Sequence, residues 1–391
     1  MVRPLADAPA FPSESAEKER QKAFAGIMPL ELELWIEVLL LIALGLIMIY
    51  SASSIMALKK FGDAAHYFKR QLVCIGLGLV VILAASRIPY RHYREHIPWM
   101  FLVTLLALFL VLIPGLGSEF NNARRWFNFR LFLVQPAEFA KVIWIIFLSV
   151  SLVRKQENIR KLGIGFIPPM VLLGIQAVLL LREPDFGTTF ILGCLTIFML
   201  ILGGVPYAYM LSLVPVALLF CYRFVYLVPY RWERITAFLN PWTDPLDSGY
   251  QLIQAWIAVG SGGLLGKGLG FGQQKMFYLP ETFTDLILAV IGEELGFVGI
   301  FGVCALFLLL FQTGIRISRS APDYLGALMA FGLTMLLCLQ AMININVVLG
   351  LFPTKGLPLP FISYGGSAFL ANCVAIGILM NIARSGRLRV E

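Results

Sequence analysis

The stretch Phe277-Tyr-Leu-Pro-Glu-Thr-Phe-Thr-Asp285, followed from Leu286 by an almost wholly apolar run to about residue 312, decides the fold. About 20 apolar residues suffice for a helix to cross a bilayer, and this run is long enough. Similar runs recur from Leu34 to Ile382. They are continuous rather than alternating, which selects helices over a transmembrane barrel. Hydrophobic residues make up 59% of the 391-residue chain and charged residues 14%, against roughly 25% charged in soluble domains. The expected fold class is an all-α polytopic membrane protein with about ten transmembrane helices. They are expected near residues 34–57, 68–86, 98–116, 135–153, 163–181, 186–203, 206–223, 285–312, 324–349 and 365–383. Residues 224–284 form a long extracytoplasmic loop between spans 7 and 8.

The expected organisation is one membrane domain, 34–383, between a polar tail, 1–33, and a short tail, 384–391. The first tail lacks the apolar core and small-residue cleavage site of a signal peptide, so it reads as a disordered cytoplasmic segment before an uncleaved span. Loop cations set the orientation. Arg87, Arg91 and Arg94, then Arg154, Lys155, Arg160 and Lys161, then Arg316 and Arg319 fall in one set of loops, and Arg384, Arg387 and Arg389 follow the last span. The positive-inside rule makes that set, and both termini, cytoplasmic. Net charge +8 fits anionic membrane lipid, with no basic stripe pointing to nucleic acid. The six cysteines lie in or beside apolar runs without metal-site spacing and read as small buried apolar residues.

Asp285 opens a membrane helix, where burying an ionised side chain costs about 3 kcal/mol or more. Such a residue is a candidate functional group. Other polar residues fall at the same membrane face in segments far apart in sequence: Arg124, Arg125 and Trp126, then Glu138 and Lys141, then Arg182, Glu183 and Asp185, then Lys355, Ser363 and Tyr364. Glu138 and Lys141 share a helix face at i, i+3. They form either a structural ion pair or a cationic group for a lipid headgroup with Glu138 orienting it. Asp185 either caps the next helix or holds a cation near the site. Glu293 and Glu294 lie about 12 Å further along span 8 than Asp285 and are expected inside the bundle, bonded to other spans, with a proton relay as the alternative. Gly260-Ser-Gly-Gly-Leu-Leu-Gly-Lys267 superficially matches a phosphate-binding loop. It has Ser261 for the first glycine and Gly268 for the Ser/Thr, so the glycines are expected to permit close turns.

Further motifs resemble one family. Tyr50-Ser-Ala-Ser53, Arg125-Trp126, Gln135-Pro-Ala-Glu-Phe-Ala-Lys141 and Glu183-Pro-Asp-Phe-Gly-Thr-Thr189 are similar to segments of the SEDS family. So are Gly249-Tyr-Gln251, Gln274-Lys-Met-Phe-Tyr-Leu-Pro-Glu281, Thr284-Asp285, Gly292-Glu-Glu-Leu-Gly296 and Leu359-Pro-Phe-Ile-Ser-Tyr-Gly-Gly366. The matches run in order over nearly the whole membrane domain and look most like the division branch, with the elongation and sporulation branches as relatives. Phe283 and Leu286 depart from the usual residues flanking Thr-Asp, and Ser367-Ala368 from a Ser-Ser pair.

The resemblance implies a peptidoglycan glycosyltransferase that polymerises lipid II into glycan strands at the outer face of the bacterial cytoplasmic membrane, expected at the division septum. It implies Asp285 as general base. Lys141, Glu138, Arg124, Arg125 and Lys355 are candidates for binding substrate and its diphosphate. Asp185, Thr284, Glu281, Ser363 and Tyr364 are candidate supporting residues. Candidate metals are Mg²⁺ or Mn²⁺. Expected partners are lipid II, the polyprenyl diphosphate-linked glycan, a cognate class B penicillin-binding protein that cross-links the product, and other divisome membrane proteins. The rival readings are a lipid II flippase or transporter and a non-catalytic divisome scaffold.

Overall fold

The computed structural model describes residues 28–120, 123–129, 133–247, 249–276, 282–353 and 356–388. Helices dominate. Among the described residues eight are long and apolar enough to cross a membrane: α1 (Leu30–Phe61), α2 (His66–Arg87), α3 (Tyr93–Val111), α4 (Pro136–Arg154), α5 (Ile167–Arg182, with the π turn Leu162–Phe166 before it), and later the helices Ile287–Ser320, Tyr324–Val348 and Gly366–Arg387. The apolar α6 (Phe186–Leu202) is shorter, at 17 residues.

The expected first tail is cut short. Helix α1 starts at Leu30, and its first-turn acids have partners: Arg316 pairs with Glu33, and Arg384 Nε lies 3.7 Å from Glu31 Oε2. The rest of that tail, 1–27, lies outside the described residues. The expected seventh span, 206–223, is not one helix. It is α7 (Tyr207–Leu211), α8 (Leu213–Cys221) and the π turn Tyr222–Tyr226. Gly203-Gly204 and Pro206 precede it and Pro215 lies within it, and proline removes a helical hydrogen bond. None of its described side chains is buried, so it packs at the periphery.

The long loop is ordered where described. It contains α9 (Pro229–Leu239) and α10 (Tyr250–Gly262), the latter close to the expected short helix at 249–259. The 117–134 loop folds into a small antiparallel sheet in the order β1 (Ser118–Phe120), β2 (Ala123–Asn128), β3 (Leu133–Val134).

Helices α4, α12 (Tyr324–Val348) and α13 (Gly366–Arg387) form the centre, each 72% buried over its most apolar window. Helices α2, α3 and α5 are only 22–28% buried there and turn residues such as Val80 and Val103 outward, as lipid contact requires. Trp144 Nε1 donates to Thr196 Oγ1 at 2.8 Å, tying α4 to α6.

Helix α11 (Ile287–Ser320) is 34 residues, or about 51 Å, too long for a hydrocarbon core of about 30 Å. It breaks at Gly296, whose φ of 66° and ψ of −159° suit glycine. The chain from Gly262 onward fills the break. Lys267 and Gly268 N–H donate to the Glu293 and Glu294 carbonyls, and Phe297 and Val298 N–H donate to those of Gly263 and Leu264. A Cβ on Gly262 would lie 1.9 Å from the Gly292 carbonyl oxygen. The glycine-rich stretch thus serves backbone contact, and Lys267 reaches the Glu293 carboxylate at 2.8 Å.

Candidate active site

Asp285 sits in the turn before α11, and backbone bonds fix that turn. Tyr364 N–H donates to the Phe283 carbonyl at 2.8 Å. Asn344, near the end of α12, donates through Nδ2 to the carbonyls of Asp285 (2.8 Å) and Leu357 (2.7 Å). One amide therefore joins the 282–286 turn to the 356–365 segment. That segment folds into the bundle: Leu359, Phe361, Ile362 and Ser363 are buried, and a Cβ on Gly45 of α1 would lie 2.6 Å from the Phe361 carbonyl. A Cβ on Gly356 would lie 2.8 Å from Asp285 Oδ2, so glycine there leaves room for the carboxylate. Asp285 and Thr284 are both half-buried.

The other candidates occupy defined places. Lys141 Nζ lies 2.9 Å from Glu138 Oε2 on α4, and both side chains are buried. The contact is off hydrogen-bonding direction, and neither atom has a hydrogen-bond partner among the described residues. Arg124 and Arg125, neighbours on β2, diverge. Arg124 pairs with Glu119 across the hairpin at 2.8 Å. Arg125 donates to the carbonyls of Glu183 (2.7 Å) and Pro184 (2.9 Å), clamping the turn between α5 and α6. Asp185 caps α6: Oδ1 accepts from Thr188 N–H and Oδ2 from its hydroxyl. Ser363 Oγ accepts from Leu359 N–H at 2.8 Å, closing the turn before Tyr364. The Tyr364 ring meets Tyr67 and Phe283 edge-on, and burial pushes its hydroxyl up against the opposing pull of Arg70. Lys355 and Glu281 lie outside the described residues.

Glu183 was quoted in the sequence motif without a role, yet its surroundings are unusual. It is fully buried, and neither carboxyl oxygen has a partner among the described residues. Burial, then the nearby Asp185 charge, pushes it up to about 9, with Arg125 opposing. It carries a proton at neutral pH.

Glu293 and Glu294 hold the long loop. Glu293 accepts from Lys267 Nζ and from Gln273 and Gln274 N–H. Glu294 accepts from Lys275 Nζ (2.6 Å), from Gly270 N–H and from Ser51 Oγ of α1. The expected bond to another span exists, through Ser51, but most partners come from the loop. Asn344, Ser51 and Lys275 carried no signal as site residues; Tyr50-Ser-Ala-Ser53 and Gln274-Lys-Met contained two of them as motif members.

The end near Asp285 is thus built from inward-folded segments between membrane helices, with a half-buried carboxylate at their meeting point. Those features define a polytopic membrane protein with a candidate site at one end of its bundle. The chain belongs to the FtsW/RodA/SpoVE family, described as cell cycle proteins, whose match covers residues 31–388. It is 46% identical over 358 residues to a probable peptidoglycan glycosyltransferase FtsW of Geobacter metallireducens, covering 90% of this chain and 96% of that one. It is 42% identical over 357 residues to the stage V sporulation protein E of Bacillus subtilis, covering 91% and 98%. Among solved structures it resembles a chain from a study of a peptidoglycan synthase complex that coordinates polymerization and crosslinking, with a TM-score of 0.73, 28% identity, and 90% and 97% of the two chains covered. It also resembles the rod shape determining protein RodA of Thermus thermophilus, with a TM-score of 0.65, 25% identity, and 90% and 95% covered.

Proposed function

We propose that this protein is a peptidoglycan glycosyltransferase that polymerises lipid II at the outer face of the cytoplasmic membrane during division. The placement of Asp285 carries the reading: a half-buried carboxylate at the junction of two inward-folded segments, in a chain whose relatives bear that activity in their names. Asp285 takes the proton from the 4-hydroxyl of the acceptor N-acetylglucosamine. That oxygen attacks the anomeric carbon of the donor glycan, the bond to the diphosphate breaks, and the diphosphate leaves with its electron pair. The anomeric centre inverts. A general base contributes about 10²–10⁴-fold when positioned at the proton it removes.

Lys141 is the cation best suited to the departing diphosphate, because its buried ammonium has Glu138 as its charged neighbour and spare donors. Arg124 and Arg125 enter as second choices, since both are engaged by Glu119 and by the 183–184 carbonyls. Among the described residues no three carboxylate or imidazole ligands cluster at this end. Mg²⁺ needs only one or two carboxylates when phosphates complete its shell, so a metal would arrive with the diphosphate and offset its charge there. Lipid II and the growing glycan are the substrates, a class B penicillin-binding protein is the crosslinking partner, and both termini are cytoplasmic.

Purified chain with its partner polymerises lipid II, and Asp285→Asn abolishes the polymer while leaving the fold intact. An Asp285→Asn protein with full activity removes Asp285 as the base. Translocation of lipid II in proteoliposomes without any polymer moves the reading to transport.

A further inference from the structure

The end of the bundle opposite Asp285 carries a second cluster. Asp285 precedes α11, which ends at Ser320; α12 then starts at Tyr324, so the turn between them lies at that opposite end. Arg91 Nε donates to Asp323 Oδ2 at 2.9 Å and fastens the corner between α2 and α3 to this turn. In that corner His92, Glu95 and His96 each offer one ligand atom, all within 4.8 Å of one another. Their spacing of three and four residues stacks them on one helical face.

Two further observations shape the cluster. The His96 Nδ1 lies 3.2 Å from the His92 carbonyl, which can only accept, so that nitrogen carries the hydrogen and Nε2 keeps its lone pair. A carbonyl holding one ring nitrogen is the usual support of a metal-ligating histidine. The rings of His92 and His96 lie 4.3 Å apart at 35°, close enough for both to reach one ion. The chain has only three histidines, and the third, His66, stacks on Phe61 at the other end. Arg91, next to His92, is neutralised by Asp323, which offsets one nearby positive charge that would repel an incoming cation.

We propose that His92, Glu95 and His96 bind a divalent transition-metal ion of the Zn²⁺, Co²⁺ or Ni²⁺ class, through two imidazole nitrogens and one carboxylate oxygen. Imidazole donors favour these ions over Mg²⁺ and Ca²⁺, which prefer oxygen. All three side chains are exposed, so water completes the shell and the ion exchanges with solution. A bound ion links the turn Tyr90–His92 to the first turn of α3. The same turn is held to α13 by Tyr90 N–H donating to Asn381 Oδ1 at 2.9 Å, and to α12 by Arg91. The ion therefore stiffens a corner where several helices meet.

The test uses the full-length, untagged chain in detergent, titrated with Zn²⁺ against a chromophoric chelator. One ion should bind per chain, excess Mg²⁺ should not displace it, and Zn²⁺ should raise the thermal unfolding midpoint. The double variant His92→Ala/His96→Ala should lose the ion and the thermal shift while keeping the wild-type midpoint without metal. Glu95→Gln should weaken binding about tenfold, or ~1.4 kcal/mol, and His66→Ala should leave it unchanged. Undiminished binding in the double variant, displacement by equimolar Mg²⁺, or no binding by the wild type overturns the proposal.

Discussion

Lys275→Met should be among the most destabilising single changes in the long loop. Lys275 Nζ lies 2.6 Å from Glu294 Oε1, with side chains 3% and 0% exposed. It also donates to Ser51 Oγ at 3.0 Å, and that hydroxyl lies 2.8 and 2.7 Å from the two Glu294 oxygens. Among the described residues, removing the ammonium leaves a buried carboxylate with only Ser51 and the Gly270 N–H. Breaking one side of a buried pair costs about 3–5 kcal/mol, because the remaining charge loses its partner. Lys275→Met/Glu294→Gln removes both charges yet keeps an acceptor for Gly270 and Ser51, so it should recover most of that loss. Reversible unfolding in mixed detergent–SDS micelles, followed by circular dichroism, gives the energies. The double-mutant cycle should show non-additivity of about 2 kcal/mol or more. Lys267→Met is the graded control, since Lys267 is 32% exposed and Glu293 retains two backbone donors. Single variants costing less than about 1 kcal/mol, as exposed pairs do, would refute the latch. So would strictly additive effects.

Asn344→Leu should lower polymerisation turnover more than it raises the apparent Michaelis constant, because it strips the bonds to the Asp285 and Leu357 carbonyls; each unsatisfied carbonyl costs about 1–3 kcal/mol, and unchanged turnover would show the bracket is dispensable. Glu183 should make stability fall with pH. Its carboxyl is raised to about 9 in the folded chain from 4.5, so its stabilising effect is full below about 4.5 and is lost as pH rises toward 9. Glu183→Gln should flatten thermal midpoints across that range and add up to about 3 kcal/mol at pH 7; a pH profile identical to wild type contradicts the assignment. Gly296→Ala should prevent stable folding, because its φ is positive and a Cβ would lie 2.4 Å from the Gly266 nitrogen. Gly302→Ala on the same helix should be tolerated, since no described atom lies within 4 Å of its Cβ, and equal yields for the two variants would be inconsistent with the break.

The membrane helices were legible because each must satisfy its own backbone in lipid, which forces long apolar runs. Other features turn on information that hydropathy does not hold. The break at Gly296 depends on one residue's φ, and Gly292-Glu-Glu-Leu-Gly296 reads equally well as a small-residue contact face. Glu293 and Glu294 lie inside the bundle as expected, but the lysines that hold them arrive from 19 to 26 residues earlier, through a loop with no periodicity. Arg124 and Arg125 read alike, as candidates for binding the diphosphate. Successive strand residues point to opposite faces, so β2 sends one to Glu119 and the other to the 183–184 turn. The broken 207–226 segment had the hydropathy of a span, and its prolines and glycines were the available warning.

The same backbone requirement separates supporting residues from the candidate base. Irregular chain at membrane depth persists only where its N–H and C=O groups find partners. At the Asp285 end the partners are side chains: Asn344 serves two carbonyls, Arg125 two more, Ser363 and Asp185 each an N–H, and Ser367 Oγ both accepts from Gln135 N–H and donates to Leu133. Three of the polar residues that the sequence gathered at this face, Arg125, Asp185 and Ser363, are therefore committed to holding the irregular segments, and Asn344 and Ser367 join them. Asp285 is held through its own carbonyl, by Asn344, and Gly356 keeps the space beside its carboxylate clear of a Cβ. A main chain held in place is what a base needs to meet a sugar hydroxyl in one fixed geometry. Gly356→Ala therefore discriminates between support and chemistry: it should press a methyl group to 2.8 Å from Oδ2, reduce glycan polymerisation sharply and leave folding intact.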